Sequence, residues 1–548
     1  MGCKSNIFAF FILGVLALVA LVPRVAMGTE ALVPGSAERR IEADVRYLAD
    51  DLLEGREAGT RGYELAALYV AERFRSIGLK PGADESFLQS VPILEYGLAD
   101  ETQGSLSIMR DGLALELLPD LDYVVFPTVV SQDIDVEAEL VFVGHGIESS
   151  FFGRDDYAGI DLNGKIAVFL VSTDPTLPSE EAAHFRSMKS AYASERGAVA
   201  SIMLYTPEFQ KNFPFEKLAK SLKASTRMAW LRENGEPHSQ SPNIRGWAVL
   251  RESAARKLFP YGELGWDSVL NRVATGDVPS FSMGLTGRIQ MAAKQQKLSS
   301  QNVVGVLPGV DPKLKHEYVL VTGHLDHIGV KPGHSTGTDK LYNGAMDNAV
   351  GVATMLEVAR QLTMQPPKRS VIFLAVTGEE KGLIGSDYFA HNPTVDKQNI
   401  VANINIDMPI LTYDFEDLVA FGAAHSSLKQ LVQDSVVHLG VRLRPDPMPQ
   451  QARFVGSDQY SFVKQGIPAI FVATGPGGEG LESHRKFRKE NYHEPSDEWS
   501  LIQYSVAAKF AAVNQQITAA VANARERPQW NEGDYFGVTF AGNKLDEK

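Results

Sequence analysis

The sequence has 548 residues, of which 44% are hydrophobic and 22% are charged, an ordinary balance for a globular protein. Its net charge of -14 at pH 7 argues against a nucleic-acid partner, because such proteins present basic surface to phosphates. The length allows two or three domains.

The first 28 residues have the pattern of a targeting signal. Lys4 precedes an unbroken apolar run, Ile7–Val22, which is short for a transmembrane helix, and the small residues Ala26 and Gly28 then form a cleavage pattern. We expect a signal peptide at 1–28 and an exported protein, periplasmic or secreted, with no stable membrane insertion after cleavage. If the segment is not cleaved, it would act as a membrane anchor.

The single cysteine, Cys3, lies inside this segment. The mature chain would therefore contain no cysteine and would depend on core burial for its stability. Any metal site in it must use histidine and carboxylate ligands.

After the signal, the chain is predicted to be first helical and then extended. Apolar residues recur at helical spacing between Arg39 and Gly82, and Gly78 stands where a helix would end. Short alternating pieces such as Ser105–Ile108 are typical of strands. We assign residues 29–130 to the N-terminal part of a first domain.

Residues 131–292 change to short apolar strands separated by glycines. Leu140–Val143 and Ile166–Val171 are the clearest strands, whereas Thr206–Pro242 carries few strong signals. The pattern predicts a mainly β inserted domain, and we interpret the polar stretch Lys294–Ser300 as a domain junction.

Residues 293–548 alternate strands with helices, which predicts an α/β fold with a mostly parallel sheet covered by helices. The predicted strands are Tyr318–Thr322, Val371–Val376, Val401–Ile406, Val419–Phe421 and Ala469–Ala473. The predicted helices are Ala349–Leu362, Leu383–Phe389, Ser426–His438 and Ser505–Val521.

Several of these strands are followed by side chains that can bind metal. Glu379 and Glu380 come after the strand Val371–Val376, and this sheet edge is where ligands bind in open α/β folds. The other candidates at strand ends or in loops are His324, Asp326, Asp347, Asp407 and His493. Taken alone, each of these residues has an ordinary structural explanation, such as a helix N-cap for Asp347. Together, two histidines and three carboxylates form a ligand set suited to zinc.

The chemistry of a two-metal site explains such a set. Two ions need one carboxylate to bridge them, terminal ligands for each, and an open position for water and substrate. The ions activate a water, and a free carboxylate beside them takes its remaining proton. Asp326, two residues from His324, is a candidate to fix the orientation of that imidazole.

These segments resemble peptidase family M28, whose members are co-catalytic zinc peptidases. The matching segments, in the family's order, are Gly323–Asp326, Gly344–Gly351, Thr377–Ser386, Asn405–Met408 and Tyr492–Asp497. Leu48–Arg56 also resembles the start of the family's peptidase domain. Asp155–Tyr157 with Asp161–Ile166 resembles a protease-associated (PA) domain inserted into it.

The resemblance implies a role for each candidate residue. Asp347 would bridge two zinc ions per chain, with a cis peptide bond after it. The remaining ligands would be His324 and Asp407 on one ion, and Glu380 and His493 on the other. Glu379 would be the general base and acid, Asp326 would orient His324, and Asp458 would lie just outside the ligands. Gln459 and Pro409 depart from the family's pattern, so the sequence does not define the pocket wall at these positions.

The resemblance implies an exported enzyme that hydrolyses peptides at chain ends, most simply an aminopeptidase releasing N-terminal residues. One alternative is a glutaminyl cyclase-like enzyme with a single zinc, and another is a binding protein on an inactive peptidase fold. A carboxypeptidase acting on acidic C-termini is a further alternative, which needs basic side chains in the pocket. The candidates for that role are Arg442, Arg444, Arg453, Arg485 and Arg488. The residue preference, the function of the insert and the oligomeric state stay open.

Overall fold

A computed structural model describes residues 36–99, 104–224, 226–259, 265–331 and 339–542. The predicted signal peptide at 1–28 lies outside the described residues. None of the described helices combines the length and the apolar character that crossing a bilayer requires.

The structure is built from two sheets with helices packed against them. The helices are Ala37–Leu48, Arg61–Ile77, Ser179–Glu195, Pro207–Asn212, Phe215–Ala224, Glu252–Leu258, Trp266–Val273, Val350–Met364, Ile384–His391, Leu428–Val436, Gln459–Val463, Gly480–Glu490, Tyr504–Asn523 and Tyr535–Ala541. The helices predicted from periodicity are all present, with shifted ends.

The first sheet has a parallel core of four strands. In spatial order these are Ser370–Val376, Tyr318–His324, Ile400–Ile406 and Ala469–Thr474. Every residue of Ser370–Val376 and of Ile400–Ile406 is buried, which explains the unbroken apolar runs in the sequence. The flanking strands are Leu88–Leu98 and Arg227–Trp230 at one side, and Asp417–Phe421 and Arg442–Arg444 at the other. The two-residue strand Lys80–Pro81 also pairs in this sheet.

The second sheet covers much of the segment between residues 104 and 292. Its strands are Ser105–Arg110, Leu113–Ala114, Tyr123–Pro127, Asp133–Phe142, Ile166–Leu170, Ala200–Leu204 and Gly246–Leu250. Short two-residue strands pair elsewhere, as Glu148–Ser149 with Arg154–Asp155 and Gly329–Val330 with Leu341–Tyr342.

One strand of 27 residues, Phe281–Leu307, belongs to both sheets. Its first part pairs with Asp133–Phe142, and from Ala293 onward it pairs with Leu88–Leu98. The interpretation of Lys294–Ser300 as a domain junction stays a prediction, and the strand continues through these residues from one sheet into the other. Backbone pairing holds this stretch in the strand although most of its side chains are not buried, so its polar sequence resembled a linker.

The second module contains more helix than the sequence indicated. Ser179–Glu195 is a full helix whose buried side is not a clean apolar stripe, because it includes Glu181, His184 and Lys189. The stretch interpreted as irregular, Thr206–Pro242, holds two helices and the strand Arg227–Trp230. The predicted domain boundaries at 130 and 292 stay predictions.

The N-terminal helices pack on the first sheet and end where their sequences specify. Ser36 caps Ala37–Leu48 by accepting the backbone N–H of Arg39, and Ile41 is among the residues that this helix buries. The helix Arg61–Ile77 ends at Gly78, whose φ of 94° confirms the predicted glycine C-cap.

Candidate metal centre

The strand ends converge as the parallel pattern predicts. His324 is the last residue of Tyr318–His324 and pairs in register with Val376, the last residue before the loop that holds Glu379 and Glu380. Asp407 directly follows the next strand, Ile400–Ile406. Three chain segments that are distant in sequence thus present polar side chains at one edge of the sheet.

One half of the site is formed by His324, Asp347 and Asp407. The Nε2 atom of His324 lies 3.2 Å from Oδ1 of Asp347 and 3.1 Å from Oδ1 of Asp407. The three groups form a cluster whose possible ligand atoms lie within 4.8 Å of one another.

The other half shares Asp347 through its second oxygen. The Nε2 atom of His493 lies 3.3 Å from Oδ2 of Asp347 and 3.2 Å from Oε2 of Glu380. Asp347 therefore contacts one histidine with each carboxylate oxygen, which is the arrangement a bridging ligand requires.

The donor set and its spacing fit zinc. Histidine nitrogen and carboxylate oxygen bind zinc at about 2.0–2.2 Å, so two ligands of one tetrahedral ion lie about 3.3 Å apart. The separations of 3.1 to 3.3 Å in both halves match this value. His324 and Asp407 with Asp347 would hold one ion, and Glu380 and His493 with Asp347 would hold the other.

Two carboxyl groups of the centre, those of Asp347 and Glu380, have lowered pKa values. Burial favours the neutral form of Asp347, but hydrogen bonds with His324 and His493 outweigh it and lower its pKa. Burial likewise favours the neutral form of Glu380, but its neighbours, chiefly the imidazole of His493, outweigh burial and lower the pKa of Glu380. Both carboxylates are thus ionised and available as ligands.

Glu379 differs from its neighbour Glu380. Burial, reinforced by the negative charges of Asp407 and Glu380, raises the pKa of the Glu379 carboxyl well above its usual range. Its side chain lines the same cavity as the ligands. A carboxyl group with a raised pKa beside a metal pair is suited to accept and return a proton.

His327 was not singled out from the sequence, yet it lies in the site. It is fully buried, with Nδ1 2.9 Å from Oε1 of Glu380, and it forms a second candidate cluster with Asp347 and Glu380. The sequence shows His327 three residues after His324, but it does not show that this second imidazole also faces a carboxylate of the centre. Since His493 reaches both Asp347 and Glu380, we assign His327 to holding Glu380.

The sequence over this centre matches a known family. The family model described as Peptidase family M28 matches residues 302–518, which contain every proposed ligand. This part of the chain belongs to peptidase family M28.

Curated relatives of the M28 segment carry related names. A "Probable zinc metalloprotease" from Pyrenophora tritici-repentis is 28% identical over 324 residues, covering 52% of this chain and 63% of that protein. "Aminopeptidase YwaD" from Bacillus subtilis is 34% identical over 113 residues, covering 20% of this chain and 22% of that protein. The chain thus spans less than two thirds of the length of these relatives.

A solved structure shares the fold over most of the chain. The aminopeptidase from Aneurinibacillus sp. strain AM-1 superposes with a TM-score of 0.50 at 20% identity, covering 89% of this chain and 95% of its own. The fold prediction, a mixed α/β sheet with a parallel core, is confirmed by this likeness.

Around the M28 centre, Asp326 acts differently from expectation. Nδ1 of His324 lies 3.1 Å from the main-chain oxygen of Asp326, so the carbonyl, and not the carboxylate, fixes this imidazole. The Asp326 carboxylate instead accepts the backbone N–H groups of Glu379 and Glu380, at 3.1 and 3.3 Å. Asp326 therefore positions both the imidazole and the loop with the two glutamates.

Other buried groups fix the carboxylates of the centre. Asp497 accepts the backbone N–H groups of Met346 and Asp347 at 2.9 and 3.0 Å, and Ser457 donates to Oδ2 of Asp407 at 2.6 Å. The Asp347–Asn348 peptide bond is cis, as the resemblance implied. The sequence suggested no role for Asp497 or Ser457, because nothing in their local pattern shows which loop they contact.

Asp458, predicted to lie just outside the ligands, is fully buried. Burial raises the pKa of its carboxyl to about 7, and the nearby His324 imidazole only partly opposes the rise. Its position next to Ser457, which holds Asp407, agrees with that placement.

Arg56 joins the loops that carry the ligands. Its guanidinium is fully buried and donates to the carbonyls of Leu325 at 2.9 Å, Asn343 at 2.7 Å and Gly344 at 3.1 Å. Gly344 has a φ of 56°, and a Cβ there would lie 2.2 Å from the carbonyl of Asp347. This turn therefore requires glycine.

The metal centre opens into a cavity of about 650 Å³. Besides the ligands, it is lined by Met408, Phe471 and Tyr492 of the M28 segment, and by Arg186 and Phe213 from the second module. The second module thus forms part of the wall over the metal centre.

Of the five arginines proposed from the sequence, two reach this cavity. Arg453 and Arg488 line it, whereas Arg485 is exposed elsewhere on its helix. Arg442 and Arg444 are paired instead with Glu416 at 3.0 Å and Asp417 at 3.2 Å.

Proposed function

We propose that this protein is an exported di-zinc peptidase that removes residues from peptide chain ends, most simply an aminopeptidase. The observation that carries the proposal is the pair of ligand groups sharing Asp347, with Glu379 beside them. A cavity that Arg186 and Phe213 of the second module also line is suited to a chain end rather than to the middle of a folded protein.

Each part of the site has a defined task in this proposal. Zinc ions bound by the two halves would supply Lewis acidity, which makes water nucleophilic at neutral pH. Glu379, whose carboxyl has a raised pKa, takes the proton of the attacking water and delivers it to the leaving amine. The carboxylate of Asp326 accepts the backbone N–H of Glu379. This contact keeps the Glu379 carboxylate at a fixed distance from the reacting atoms.

The two adjacent glutamates give the sharpest test. We expect Glu379→Gln to lower kcat for an aminoacyl-arylamide by about a thousandfold while two zinc ions per chain remain, because only the proton acceptor is lost. Glu380→Gln should instead release one ion per chain, because it removes a ligand. Metal content by mass spectrometry and kcat are measured on both variants, and full activity of Glu379→Gln would refute the base assignment.

A glutaminyl cyclase-like enzyme is the second candidate and predicts a different metal count. It would hold one zinc per chain and convert the N-terminal glutamine of a peptide into pyroglutamate, as the α-amine attacks the side-chain amide and ammonia leaves. The complete second half-site, with His493 within 3.3 Å of Asp347 and Glu380, favours two ions. A measured stoichiometry of one zinc together with pyroglutamate formation would favour the cyclase.

A further inference from the structure

A second group of possible metal ligands lies where the second module meets the M28 segment. It consists of His238, Asp387 and His391, whose possible ligand atoms lie within 4.8 Å of one another. These three residues do not line the cavity of the metal centre, and none of them is a ligand assigned there. The cluster is therefore a different site from the one proposed to cleave peptides.

Two of these ligands lie on one helix of the M28 segment. Asp387 and His391 are four residues apart in the helix Ile384–His391, a spacing that puts both side chains on the same face. The Nδ1 atom of His391 lies 3.7 Å from Oδ2 of Asp387. His391 is the last residue of this helix, and 32% of its side chain is exposed, so an ion can reach the pair from solvent.

The third ligand comes from the second module. A turn after the strand Arg227–Trp230 leads to His238, whose backbone N–H donates to the carbonyl of Trp230 at 2.8 Å. The ring of His238 stacks on the indole of Trp230, and its Nε2 lies 3.6 Å from Oδ2 of Asp387. Backbone and ring contacts thus hold this imidazole against the helix that carries the other two ligands.

The charge states of the cluster suit a divalent transition metal. Burial lowers the pKa of His238 to about 4, and the nearby Asp387 carboxylate only partly opposes this effect, so the imidazole is neutral at pH 7. Burial favours the neutral form of Asp387, but its neighbours, chiefly the cation of Lys464, outweigh burial and lower its pKa. A neutral imidazole and an ionised carboxylate are the forms that bind zinc.

The carboxylate of Asp387 is held by two donors and can still accept a metal. Lys464 donates to Oδ1 at 3.0 Å, and the Nε1–H of Trp230 donates to Oδ2 at 2.8 Å. Each carboxylate oxygen has two lone pairs, so Oδ2 can bind an ion besides the indole N–H. Donors of this kind orient the carboxylates that bind metals in proteins.

His391 has to exchange one contact for the metal. Its Nδ1 lies 2.8 Å from the main-chain oxygen of Asp387, which is the contact of a protonated nitrogen. A metal on Nδ1 would replace this contact and leave the ring proton on Nε2. The side-chain amide of Gln465, 3.3 Å from that Nε2, would then accept the proton through its oxygen.

We propose that His238, Asp387 and His391 bind one zinc ion at the junction of the two modules. Ligands of one tetrahedral zinc ion lie about 3.3 Å apart. The separations of 3.6 and 3.7 Å from Oδ2 of Asp387 therefore need only small movements of the two imidazoles. Water would take the fourth position, and the ion would add a link between the second module and the helix after Glu380. The proposal does not depend on the peptidase function.

Zinc content at a fixed free zinc concentration tests the site. The natural protein and its variants are dialysed against a zinc buffer in the micromolar range, and zinc per chain is measured by mass spectrometry. We expect His238→Phe and His391→Gln each to hold about one ion per chain fewer than the natural protein, because two remaining ligands bind zinc far more weakly than three. This difference tests the site whatever number of ions the metal centre holds.

The variants are chosen so that loss of the ion can be separated from loss of the fold. His238→Phe keeps an aromatic ring to stack on Trp230, and His391→Gln changes a half-exposed side chain at the end of a helix. Circular dichroism and thermal unfolding show whether each variant is folded. His438→Gln, at an exposed histidine outside the cluster, is the control and should keep the natural zinc content. Equal zinc content in the natural protein and in both folded variants would overturn the proposal.

A double variant separates this site from the metal centre. Glu380→Gln removes a ligand of the centre, so Glu380→Gln combined with His391→Gln should lose one ion more than Glu380→Gln alone. A double variant that holds as much zinc as Glu380→Gln would mean that His391 binds no separate ion, and the proposal would be wrong. If no variant of the centre changes the zinc content while His391→Gln does, the junction site stands and the proposed peptidase centre fails.

Discussion

At the scale of single residues, the proposed metal ligands are held in place by buried groups behind them. Asp347 is the proposed shared ligand, and its backbone N–H is accepted by the carboxylate of Asp497 at 3.0 Å. Asp497 is itself fully buried, and burial raises the pKa of its carboxyl to about 7, with the backbone N–H of Met346 opposing the rise. The position of Asp347 is therefore fixed by a residue in the loop after His493.

Asp497→Ala should weaken zinc binding by about 10- to 100-fold, because the backbone of Asp347 loses its acceptor. Competition with a chromophoric chelator measures the zinc affinity. Asp497→Asn keeps one acceptor oxygen and should lose less. If both variants bind zinc as the natural protein does, Asp497 has no part in positioning Asp347.

Much of the centre could be predicted from the sequence, for a physical reason. Parallel strands bring their carboxyl ends to one edge, so residues following each strand, such as His324, Glu380 and Asp407, had to meet. The contact of Asp497 with Asp347 could not be predicted, because it depends on the path of loops rather than on strand periodicity. The same applies to the carbonyl of Asp326, since main-chain contacts leave no mark on residue type.

At the scale of elements, the strand Arg227–Trp230 attaches the second module to the first sheet. It pairs with Leu88–Leu98, and the Nε1–H of Trp230 donates to Oδ2 of Asp387 at 2.8 Å. The ring of His238 stacks on Trp230 with centroids 4.2 Å apart. A segment of weak sequence signal thus forms a specific contact between the modules.

Trp230→Phe should reduce the free energy of unfolding by about 1–2 kcal/mol, because the buried Asp387 loses a donor while an aromatic ring remains. Chemical denaturation monitored by circular dichroism tests this value. Trp247→Phe is a suitable control, since the buried Nε1–H of Trp247 has no acceptor among the described residues. Equal losses in the two variants would mean that the hydrogen bond with Asp387 contributes nothing.

At the scale of the whole molecule, His425 links three distant segments. Its Nε2 lies 2.6 Å from Oε2 of Glu180 in the second module, and its Nδ1 lies 2.6 Å from Oδ2 of Asp534 near the C-terminal helix. Burial opposes the charge of His425, but its hydrogen bonds with Asp534 and Glu180 prevail and raise its pKa to about 10. The imidazole is therefore protonated at neutral pH.

His425→Gln should lower the free energy of unfolding by about 1–2 kcal/mol near pH 6. This value is smaller than for a fully buried ion pair, because His425, Glu180 and Asp534 are partly exposed to solvent. A folded pKa above the unfolded value of about 6.5 gives stability that is full below that pH and declines as the pH rises towards 10. Denaturation of natural and variant protein at about pH 6 and about pH 9.5 should show the gap narrowing. The exposed His438→Gln serves as control, and a constant gap would contradict the assigned pKa.

The sequence predicted the parallel core of the first sheet better than it predicted the second module. Alternating buried strands and helices identify the parallel core, because both periods are regular there. The helix Ser179–Glu195 was missed, since a helix that buries Glu181, His184 and Lys189 has no apolar stripe to recognise. The continuous strand Phe281–Leu307 was missed because pairing with Leu88–Leu98, and not side-chain burial, holds its polar middle.

That strand sets the order in which the molecule can be completed during synthesis. Leu88–Leu98 leaves the ribosome early, but its partner residues Ala293–Val303 follow only after the whole second module has been translated. Until then, Arg227–Trp230 can pair with one edge of this early strand, but the backbone groups on its other edge must stay bonded to water. Such a late, long-range partner is the condition for slow folding and for capture by chaperones. Truncated chains that end before Phe281 should therefore be unable to assemble either sheet fully, because this strand contributes to both.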